Sequence, residues 1–245
     1  MRALIVGISG KMGRELIERA PEFDVRITGG LDVITLPDYP TFSRAEDVNV
    51  QYDVVIDFSR PSSLDSIIYL CKKNLVPCVI ATTGYSAQEE KKIRELSKVV
   101  PVFKSENMSL GINVLAALSE QAAEMLENFD IEIIEKHHNQ KVDSPSGTAK
   151  MLCNSIAGAI HYDPEFHHGR LGNAKRSSDE IGVHSVRGGT IVGEHEIMFC
   201  GNHETVTLSH SAESRTIFAD GALKAALWLR YKPAGLYNMR NLLSL

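Results

Sequence analysis

A glycine-rich segment near the start of the chain restricts the possible folds more than any other feature of the sequence. The run Gly7-Ile8-Ser9-Gly10-Lys11-Met12-Gly13 follows a short apolar stretch and precedes residues with helical spacing. Gly7 permits a tight turn, Gly10 lets the backbone approach a pyrophosphate, and Gly13 lets the helix pack against the strand. The helix N-terminus would offer N–H groups to the phosphates. Because the GxxGxxG spacing is one residue longer than the strict dinucleotide fingerprint, a glycine turn without a ligand is the alternative.

Strand and helix signals alternate through the first hundred residues. The run from Asp53 to Phe58 is apolar between two acids, which is typical of a strand buried on both faces. Ser86 and Glu89 fit a capping box at the start of a helix. The other predicted strands are 2–6, 25–31, 76–81 and 99–103, and the other predicted helices are 11–19 and one after Pro61. This order predicts an α/β fold with a Rossmann-like, doubly wound parallel sheet.

The pattern changes near residue 110. Helices are predicted over 112–126 and 146–160, strands over 130–136 and within 181–212, a loop over 161–180, and a buried helix over 216–229 that returns to the first domain. Alternating polarity within 181–212 indicates antiparallel strands that are solvent-exposed on one face. We therefore predict a dinucleotide-binding domain of residues 1–108 and 213–245. Residues 109–212 would form a smaller α+β substrate-binding domain with a mixed, largely antiparallel sheet.

Composition excludes several classes of function. The net charge is −5, whereas general nucleic-acid binding requires a basic surface. The longest apolar runs have about five residues, whereas a membrane helix needs roughly 20. The N-terminal residues resemble a first strand rather than a signal peptide, so we expect a cytoplasmic protein. The four cysteines form no CxxC pair, so we expect them to be buried free thiols in a reducing compartment. We expect neither a nucleic-acid partner nor a membrane partner.

An acidic residue is expected at the end of the second strand of such a domain, where it binds the ribose hydroxyls. Asp32, directly after Gly29-Gly30-Leu31, is the candidate. No arginine adjoins Asp32 to receive a 2′-phosphate, which favours NADH over NADPH, although Lys11 or Arg44 could supply that charge. A solvated turn residue without a ligand is the alternative interpretation of Asp32.

Two other segments follow predicted strands, at the sheet edge where ligands of doubly wound folds bind. They are Ala81-Thr82-Thr83 and Ser105-Glu106-Asn107-Met108. Their small and hydroxyl-bearing side chains suit a nicotinamide ribose and carboxamide, although ordinary loop residues would look similar.

A cluster of histidine and lysine residues marks the second half of the chain. His137, His138 and Lys141 precede a predicted helix start in which Ser144 is the N-cap and Pro145 the first helical residue. The N–H groups of residues 146–148 would then bind a carboxylate, and Gly147 would let the ligand approach. Histidine titrates near neutrality and lysine stays cationic, so the cluster predicts a site for an anionic substrate with acid groups at hand.

Metal binding is the rival interpretation of this cluster. His137 and His138 are neighbours on a strand and point to opposite faces, so they would rarely bind one ion. His195, Cys200 and His203 also lack the spacing of metal ligands. We therefore predict no metal site.

The sequence resembles the 4-hydroxy-tetrahydrodipicolinate reductase (dihydrodipicolinate reductase) family over nearly its whole length. The string His-His-x-x-Lys-x-Asp-x-Pro-Ser-Gly-Thr is highly specific, whereas many dehydrogenases share the glycine turn. The segments that carry the resemblance are GISGKMG at 7–13, VIDFS at 55–59, ATTGY at 81–85, ENMSLGIN at 106–113, EKHHNQKVDSPSGTA at 135–149, RGGTIVGEHEIMF at 187–199, and LSHSAESRTIFADGALKAALWL at 208–229.

The resemblance implies a role for each matching residue. His137 would be the catalytic acid–base group and Lys141 the second acid, while His138, Gly147 and Thr148 would bind the substrate. The implied cofactor-binding residues are Gly7, Ile8, Ser9, Gly10, Lys11, Met12, Asp32, Ala81, Thr82, Thr83, Ser105, Glu106, Asn107 and Met108. The second domain would also build a homotetramer, and the cofactor would be NADH or NADPH.

The implied reaction is the reduction of 4-hydroxy-2,3,4,5-tetrahydrodipicolinate, a cyclic dicarboxylate, to tetrahydrodipicolinate with loss of water, in diaminopimelate and lysine biosynthesis. Another NAD(P)-dependent imine or amino-acid dehydrogenase, or a non-enzymatic dinucleotide sensor, are the alternatives on the same fold. The chain departs from the family pattern in its short 33–52 segment, in Ala81 where glycine is usual, and in Glu106.

Overall fold

The computed structural model describes residues 1–245, which form two compact units. Unit 1 comprises Met1–Leu110 and Arg215–Leu245, and unit 2 comprises Gly111–Ser214. The strands are β1 (Arg2–Val6), β2 (Arg26–Leu31), β3 (Thr41–Phe42), β4 (Val54–Asp57), β5 (Cys78–Ile80), β6 (Pro101–Lys104), β7 (Asp130–His137), β8 (Glu165–His168), β9 (Glu180–Arg187), β10 (Gly193–Cys200), β11 (Thr205–Ala212) and β12 (Gly235–Tyr237). The α-helices are α1 (Lys11–Arg19), α2 (Leu64–Asn74), α3 (Ala87–Ser97), α4 (Leu110–Met125), α5 (Gly147–Ala157), α6 (Thr216–Leu229) and α7 (Met239–Leu243).

Unit 1 contains a seven-stranded sheet in the order β12-β6-β5-β4-β1-β2-β3, and all its strand pairs are parallel. Successive strand residues enter different cores. Ala3 and Ile5 pack with α1 and α6, whereas Leu4 and Val6 pack with α2 and α3. The sheet is therefore covered by helices on both faces, which confirms the prediction of a doubly wound Rossmann-like fold.

Local sequence signals place several of these helices. Helix α1 has the predicted bounds, and the capping box of Ser86 and Glu89 is present at the start of α3.

Cys71, Cys78 and Cys153 are buried free thiols, as expected, whereas Cys200 is only half-buried. None of the helices combines the length and the apolar character that crossing a lipid bilayer requires.

Unit 2 contains a mixed sheet in the order β11-β10-β7-β9-β8. Strand β10 is antiparallel to both β7 and β11, whereas β9 is parallel to both β7 and β8. Alternate residues of β7 are buried, and Ile131 and Ile133 pack with residues of α4 and α5. The other face carries half-exposed side chains. This arrangement positions Glu135 and His137, which share the inner face at the end of β7.

Part of the predicted loop over 161–180 is wrong, because β8 occupies Glu165–His168 and pairs with β9 at the sheet edge. The strand has only one apolar residue, Phe166, so its sequence has no detectable period. Strands β3 and β12 were also not predicted from the sequence. Each has two or three residues and joins the edge of an existing sheet.

Candidate active site

The glycine-rich segment of unit 1 is packed so tightly that only glycine fits at some of its positions. Gly7 has a φ of +86°, and a Cβ there would lie 2.6 Å from the Phe58 carbonyl oxygen. A Cβ on Gly13 would lie 2.4 Å from the carbonyl oxygens of Gly7 and Ile8. Gly10 is the N-cap of α1 and has no side-chain cap, and α1 has no acidic residue in its first turn. The N-terminus of α1 can therefore accept an anion.

Asp32 follows β2 and receives hydrogen bonds on both carboxylate oxygens. The backbone N–H and the hydroxyl of Ser9 donate to Oδ2 at 3.0 and 2.7 Å, and Val33 N–H donates to Oδ1 at 2.7 Å. Burial tends to raise the pKa of Asp32, but the hydrogen bonds from Ser9, Ile34 and Val33 outweigh it and lower the pKa. The end of β2 therefore carries a fixed negative charge beside the glycine turn. Arg44, one of the two cations considered for a 2′-phosphate, pairs with Glu46 at 3.5 Å.

The predicted segments after β5 and β6 lie on the same sheet edge as the glycine turn, because β6, β5, β4 and β1 are parallel neighbours. The side chains of Ile8 and Met108 are buried in the core of unit 1, so only their backbone could face a ligand. Asn107 is also buried, and its Oδ1 accepts from Ser109 N–H at 2.8 Å, whereas Glu106 is exposed.

Asp57 at the end of β4 is a buried acid that sequence analysis did not assign to the site. Its carboxylate accepts hydrogen bonds from Ser59 and from the Tyr85 hydroxyl. Ser59 N–H also donates to Thr82 Oγ1 at 2.9 Å. Burial raises the pKa of Asp57, although its hydrogen bonds oppose that effect. Asp57 thus links the chain after β4 to the Ala81-Thr82-Thr83 segment. The only sequence signal was an acid that ends a buried strand.

In unit 2, His137 ends β7 with its Nδ1 atom 2.5 Å from Oε2 of Glu135. Glu135 is fully buried, and sequence analysis did not assign it to the site. Arg187 donates to both of its oxygens, at 2.8 Å from Nη1 to Oε2 and at 2.7 Å from Nη2 to Oε1. The Ser185 hydroxyl and the Ser146 N–H also donate to Oε1, at 2.7 and 3.1 Å.

These donors decide the charge of Glu135. Burial alone would raise its pKa, but the hydrogen bonds from Arg187, Ser185, His137 and Ser146 together lower it to about 2. One signal in the sequence could have placed Glu135 beside His137, namely their spacing of two residues, because residues i and i+2 of a strand share one face.

His137 is nearly buried, and its pKa is lowered. The main cause is burial, and Lys141 and Arg187 add to it, while Glu135 acts in the opposite direction. His195 on β10 packs edge-on against His137, with 5.2 Å between ring centroids. Burial, assisted by His137, lowers the pKa of His195 to about 4. Its Nε2 lies 3.3 Å from the Ser146 hydroxyl oxygen.

The predicted start of α5 is wrong by two residues. Ser146, and not Ser144, is the N-cap, and its hydroxyl accepts from Ala149 N–H at 3.1 Å. Ser146 is held extended there because its own N–H donates to Glu135, so it is not among the donors available to a substrate. A Cβ on Gly147 would meet no atom within 4 Å, so the first turn is open to a ligand at this position.

Lys141 is tied to the same cluster through Asp143. Its Nζ lies 2.8 Å from Asp143 Oδ1, and Arg187 donates to the Asp143 carbonyl oxygen at 2.8 Å. His137, Lys141 and the start of α5 are thus joined by hydrogen bonds through Glu135, Arg187 and Asp143. His138 is half-buried beside His137, and Thr148 lies in the first turn of α5. No group of three or more His, Cys, Asp or Glu side chains is arranged to hold a metal ion.

Comparison with known proteins covers both units. Residues 1–108 match the family model "Dihydrodipicolinate reductase, N-terminus", and residues 111–243 match the corresponding C-terminal model. The 4-hydroxy-tetrahydrodipicolinate reductase of Clostridium tetani is 48% identical over 243 residues, which cover 98% of this chain and 95% of that protein. The enzyme of the same name from Caldanaerobacter subterraneus is 48% identical over 247 residues, 99% of this chain and 98% of that protein.

A solved structure has the same architecture. Dipicolinate-bound dihydrodipicolinate reductase from Paenisporosarcina sp. TG-14 superposes with a TM-score of 0.79 at 26% identity, and 97% of each chain is covered.

Proposed function

The chain belongs to the dihydrodipicolinate reductase family, and from that premise we propose how its residues reduce 4-hydroxy-tetrahydrodipicolinate. The reaction yields tetrahydrodipicolinate with loss of water, a step in diaminopimelate and lysine biosynthesis, and it uses a nicotinamide dinucleotide. The observation that carries the assignment of roles is the cluster in unit 2, where a buried carboxylate holds His137 and the start of α5.

The residues of unit 1 fit a dinucleotide. The N-terminus of α1 has no side-chain cap, and there is no room for a side chain at Gly7 in the turn before it or at Gly13 in its first turn. We assign the pyrophosphate to the backbone of the glycine turn and the adenosine ribose to Asp32. The Ala81-Thr82-Thr83 segment and residues 105–108 would contact the nicotinamide end. The nicotinamide, when bound, supplies the hydride.

The preference between the two cofactors depends on the charge at Asp32. Its lowered pKa keeps the carboxylate ionised, and an anion there would repel a 2′-phosphate while accepting hydrogen bonds from a ribose diol. The Arg44 guanidinium lies 3.5 Å from the Glu46 carboxylate. These observations support NADH as the preferred cofactor.

The substrate is a dianion, and the start of α5 supplies complementary groups. Gly147 and Thr148 in the first turn would bind one carboxylate through backbone N–H groups and the threonine hydroxyl. Lys141 and His138 would contact the substrate from the segment after β7. Two ligand carboxylates beside His137 would raise the pKa of its imidazole, which burial keeps low in the free protein. The imidazole would therefore take up a proton as substrate binds.

Hydride addition to the dehydrated, conjugated ring leaves electron density on the neighbouring carbon, which must then be protonated. Because Nδ1 of His137 is engaged with Glu135, Nε2 is the atom that would donate this proton. Lys141 would hold the substrate as a cation and act as the second acid, restrained by Asp143.

We also propose a homotetramer built by unit 2. The outer face of its sheet carries the exposed side chain of Val186 and the half-exposed side chains of Ile134 and Met198, which would be covered by other copies. Light scattering on the purified protein should give four times the chain mass of 27.0 kDa. A mass of 27.0 kDa would contradict this assignment.

The first test of the function is an absorbance assay at the nicotinamide band, with substrate supplied fresh by the synthase that precedes this step. We expect rapid, substrate-dependent oxidation that is faster with NADH than with NADPH. His137→Gln should lower kcat by roughly 10²–10⁴ and leave cofactor binding nearly intact. Lack of oxidation with either cofactor, from protein shown to bind one, would favour a sensor or a dehydrogenase with another anionic substrate.

A further inference from the structure

We propose that Glu135 is a positioning residue for the reduction. Its buried carboxylate would fix Nε2 of His137 as the nitrogen that exchanges protons, and it would hold that ring at a set distance from the carboxylate-binding start of α5. The inference rests on the proposed function, because it requires His137 to be the proton donor.

The Glu135 carboxylate is surrounded by hydrogen-bonding partners. Oε2 accepts from Arg187 Nη1 and faces His137 Nδ1, while Oε1 accepts from Arg187 Nη2, Ser185 Oγ and Ser146 N–H. Five contacts on two oxygens occupy all of the roughly four lone-pair sites of an ionised carboxylate, and no solvent reaches this residue. Arg187 has donors but no acceptor and faces both oxygens, so a proton on either oxygen would weaken its hydrogen bonds to the carboxylate. The site is therefore built for the anion.

This carboxylate determines which nitrogen of His137 carries the ring proton. An ionised carboxylate can only accept hydrogen bonds, so Nδ1 must keep its hydrogen whether the ring is neutral or charged. Protons are then gained and lost at Nε2 alone. A Cβ on Gly193 would lie 3.1 Å from this atom, so the absence of a side chain at Gly193 keeps Nε2 accessible.

Glu135 also connects the His137 ring to the proposed substrate site. Ser146 donates its N–H to Glu135 and is also the N-cap of α5. The carboxylate therefore touches the acid–base ring on one oxygen and the helix start on the other. Because Arg187 binds both oxygens, the carboxylate cannot rotate without breaking both contacts. Such preorganisation would place the proton donor and the substrate carboxylate correctly before substrate arrives.

A Glu135–Arg187 pair with a purely structural role would be buried in the same way. The test therefore needs a measurement that reports on the His137 imidazole itself. The charged and titratable groups that face His137 are Glu135 on its own strand, Arg187 from β9, His195 from β10, and Lys141 from the segment after β7. Glu135 is the one among them that binds a ring nitrogen of His137.

The decisive variant is Glu135→Gln. Its amide must turn an NH₂ group either toward the donors Arg187 and Ser146 or toward His137, where it would donate to Nδ1 and move the ring proton to Nε2. We expect kcat to fall by on the order of 10²-fold or more, as when a triad carboxylate is replaced by an amide. The KM for the cofactor should change by less than about twofold, because unit 1 is untouched. Nitrogen-15 NMR of the imidazoles should show His137 leaving the Nδ1–H form, and the acidic limb of the pH–rate profile should shift.

A matched control lies on the same strand. Glu132 also binds a histidine and an arginine, His184 at 2.7 Å and Arg176, but it points to the opposite face of β7. Glu132→Gln should leave kcat and the His137 tautomer unchanged, with folding and oligomeric state measured for both variants.

The outcomes separate this inference from the function on which it rests. An active wild type whose kcat and Nδ1–H tautomer survive Glu135→Gln would overturn the inference alone. Should that variant fail to fold, the wild-type spectrum decides: an Nδ1–H ring supports the inference, and an Nε2–H ring overturns it. A wild type that binds cofactor but does not reduce the substrate overturns the proposed function. In that case an Nδ1–H tautomer of His137 would still support the hydrogen bond between His137 and Glu135.

Discussion

At the scale of single residues, one buried histidine, His195, makes the stability of unit 2 depend on pH. It is 4% exposed, and its pKa is about 4 in the folded protein against an ordinary value of 6.5. Between these two values the unfolded chain binds more protons than the folded one, so the free energy of unfolding falls as the pH decreases from 6.5 toward 4. A shift of this size corresponds to roughly 3 kcal/mol.

Urea unfolding at pH 7, 5.5 and 4.5 measures this dependence. We expect His195→Asn to flatten it, and we expect a change at the exposed His161 to leave it as it is. Equal slopes for wild type and His195→Asn would show that another group is responsible. Glu135 contributes in a lower window, because its depressed pKa stabilises the fold above about 4.5 and that contribution is lost as the pH falls toward 2.

Asp32 is predicted to set the cofactor preference. Asp32→Asn keeps an oxygen to accept from Ser9 but removes the negative charge beside the ribose. We expect the ratio of kcat/KM for NADPH over NADH to rise by roughly tenfold, since a unit charge near a phosphate is worth about 1 kcal/mol or more at a solvated site. Initial rates with both cofactors give this ratio directly. An unchanged ratio would mean that the 2′ position lies elsewhere.

The site residues could be predicted from sequence to different extents. His137, Lys141 and Gly147 stand in a dense and unusual string, so composition and spacing alone indicated a site there. Glu135 was visible in the same string, but its importance depends on Arg187 and Ser185 from β9, which are about 50 residues away in sequence and pair with β7 only in the sheet. Non-local pairing of this kind leaves no local pattern to detect.

At the scale of elements, Ser146 and Ser86 are comparable N-caps with different surroundings. Each side chain accepts the N–H three residues ahead, in α5 and α3 respectively. Replacement of either by alanine should cost about 1 kcal/mol of stability. Only Ser146→Ala should also raise the KM for the dicarboxylate, by about fivefold, because α5 would lose order at the turn that binds it. Chemical denaturation and substrate titration of both variants test this, and equal KM values would remove α5 from the substrate site.

The elements that sequence analysis located are those with a buried face. Strand β4 is a continuous apolar run, and helices α1 and α6 carry apolar residues at helical spacing, so these patterns are visible without tertiary context. The start of α5 was misplaced because two serines, Ser144 and Ser146, both satisfy the local rule for an N-cap. The contact of Ser146 with Glu135 decides between them, and that contact is tertiary.

At the scale of the whole molecule, unit 1 depends on the last residues of the chain. Strand β12 pairs with β6, and Met239 of α7 is buried in the core. Tyr237 packs edge-on against Trp228, with 5.4 Å between ring centroids, and Trp228 packs in the same way against Phe103. We expect deletion of residues 235–245 to lower the melting temperature of unit 1 and weaken cofactor binding.

The single tryptophan of the chain, Trp228, makes this measurable, because its emission reports on unit 1. A red shift and an earlier fluorescence melt are expected for the deletion, together with faster proteolytic cleavage within 1–110 than in the full chain. Unaltered emission and melting would show that β12 and α7 are dispensable.

The division of unit 1 between two distant stretches of sequence also has a consequence during translation. Residues 1–110 leave the ribosome with six of the seven strands of the unit 1 sheet but without α6. Ala219, Ala222, Leu223 and Leu229 of α6 belong to the same core as Ile5 and Ile56 of the sheet. Unit 2, which is contiguous, is synthesised in the interval and can fold first. A nascent chain therefore exposes part of one apolar face of its sheet until α6 has been synthesised, and this interval is when a chaperone would be most useful.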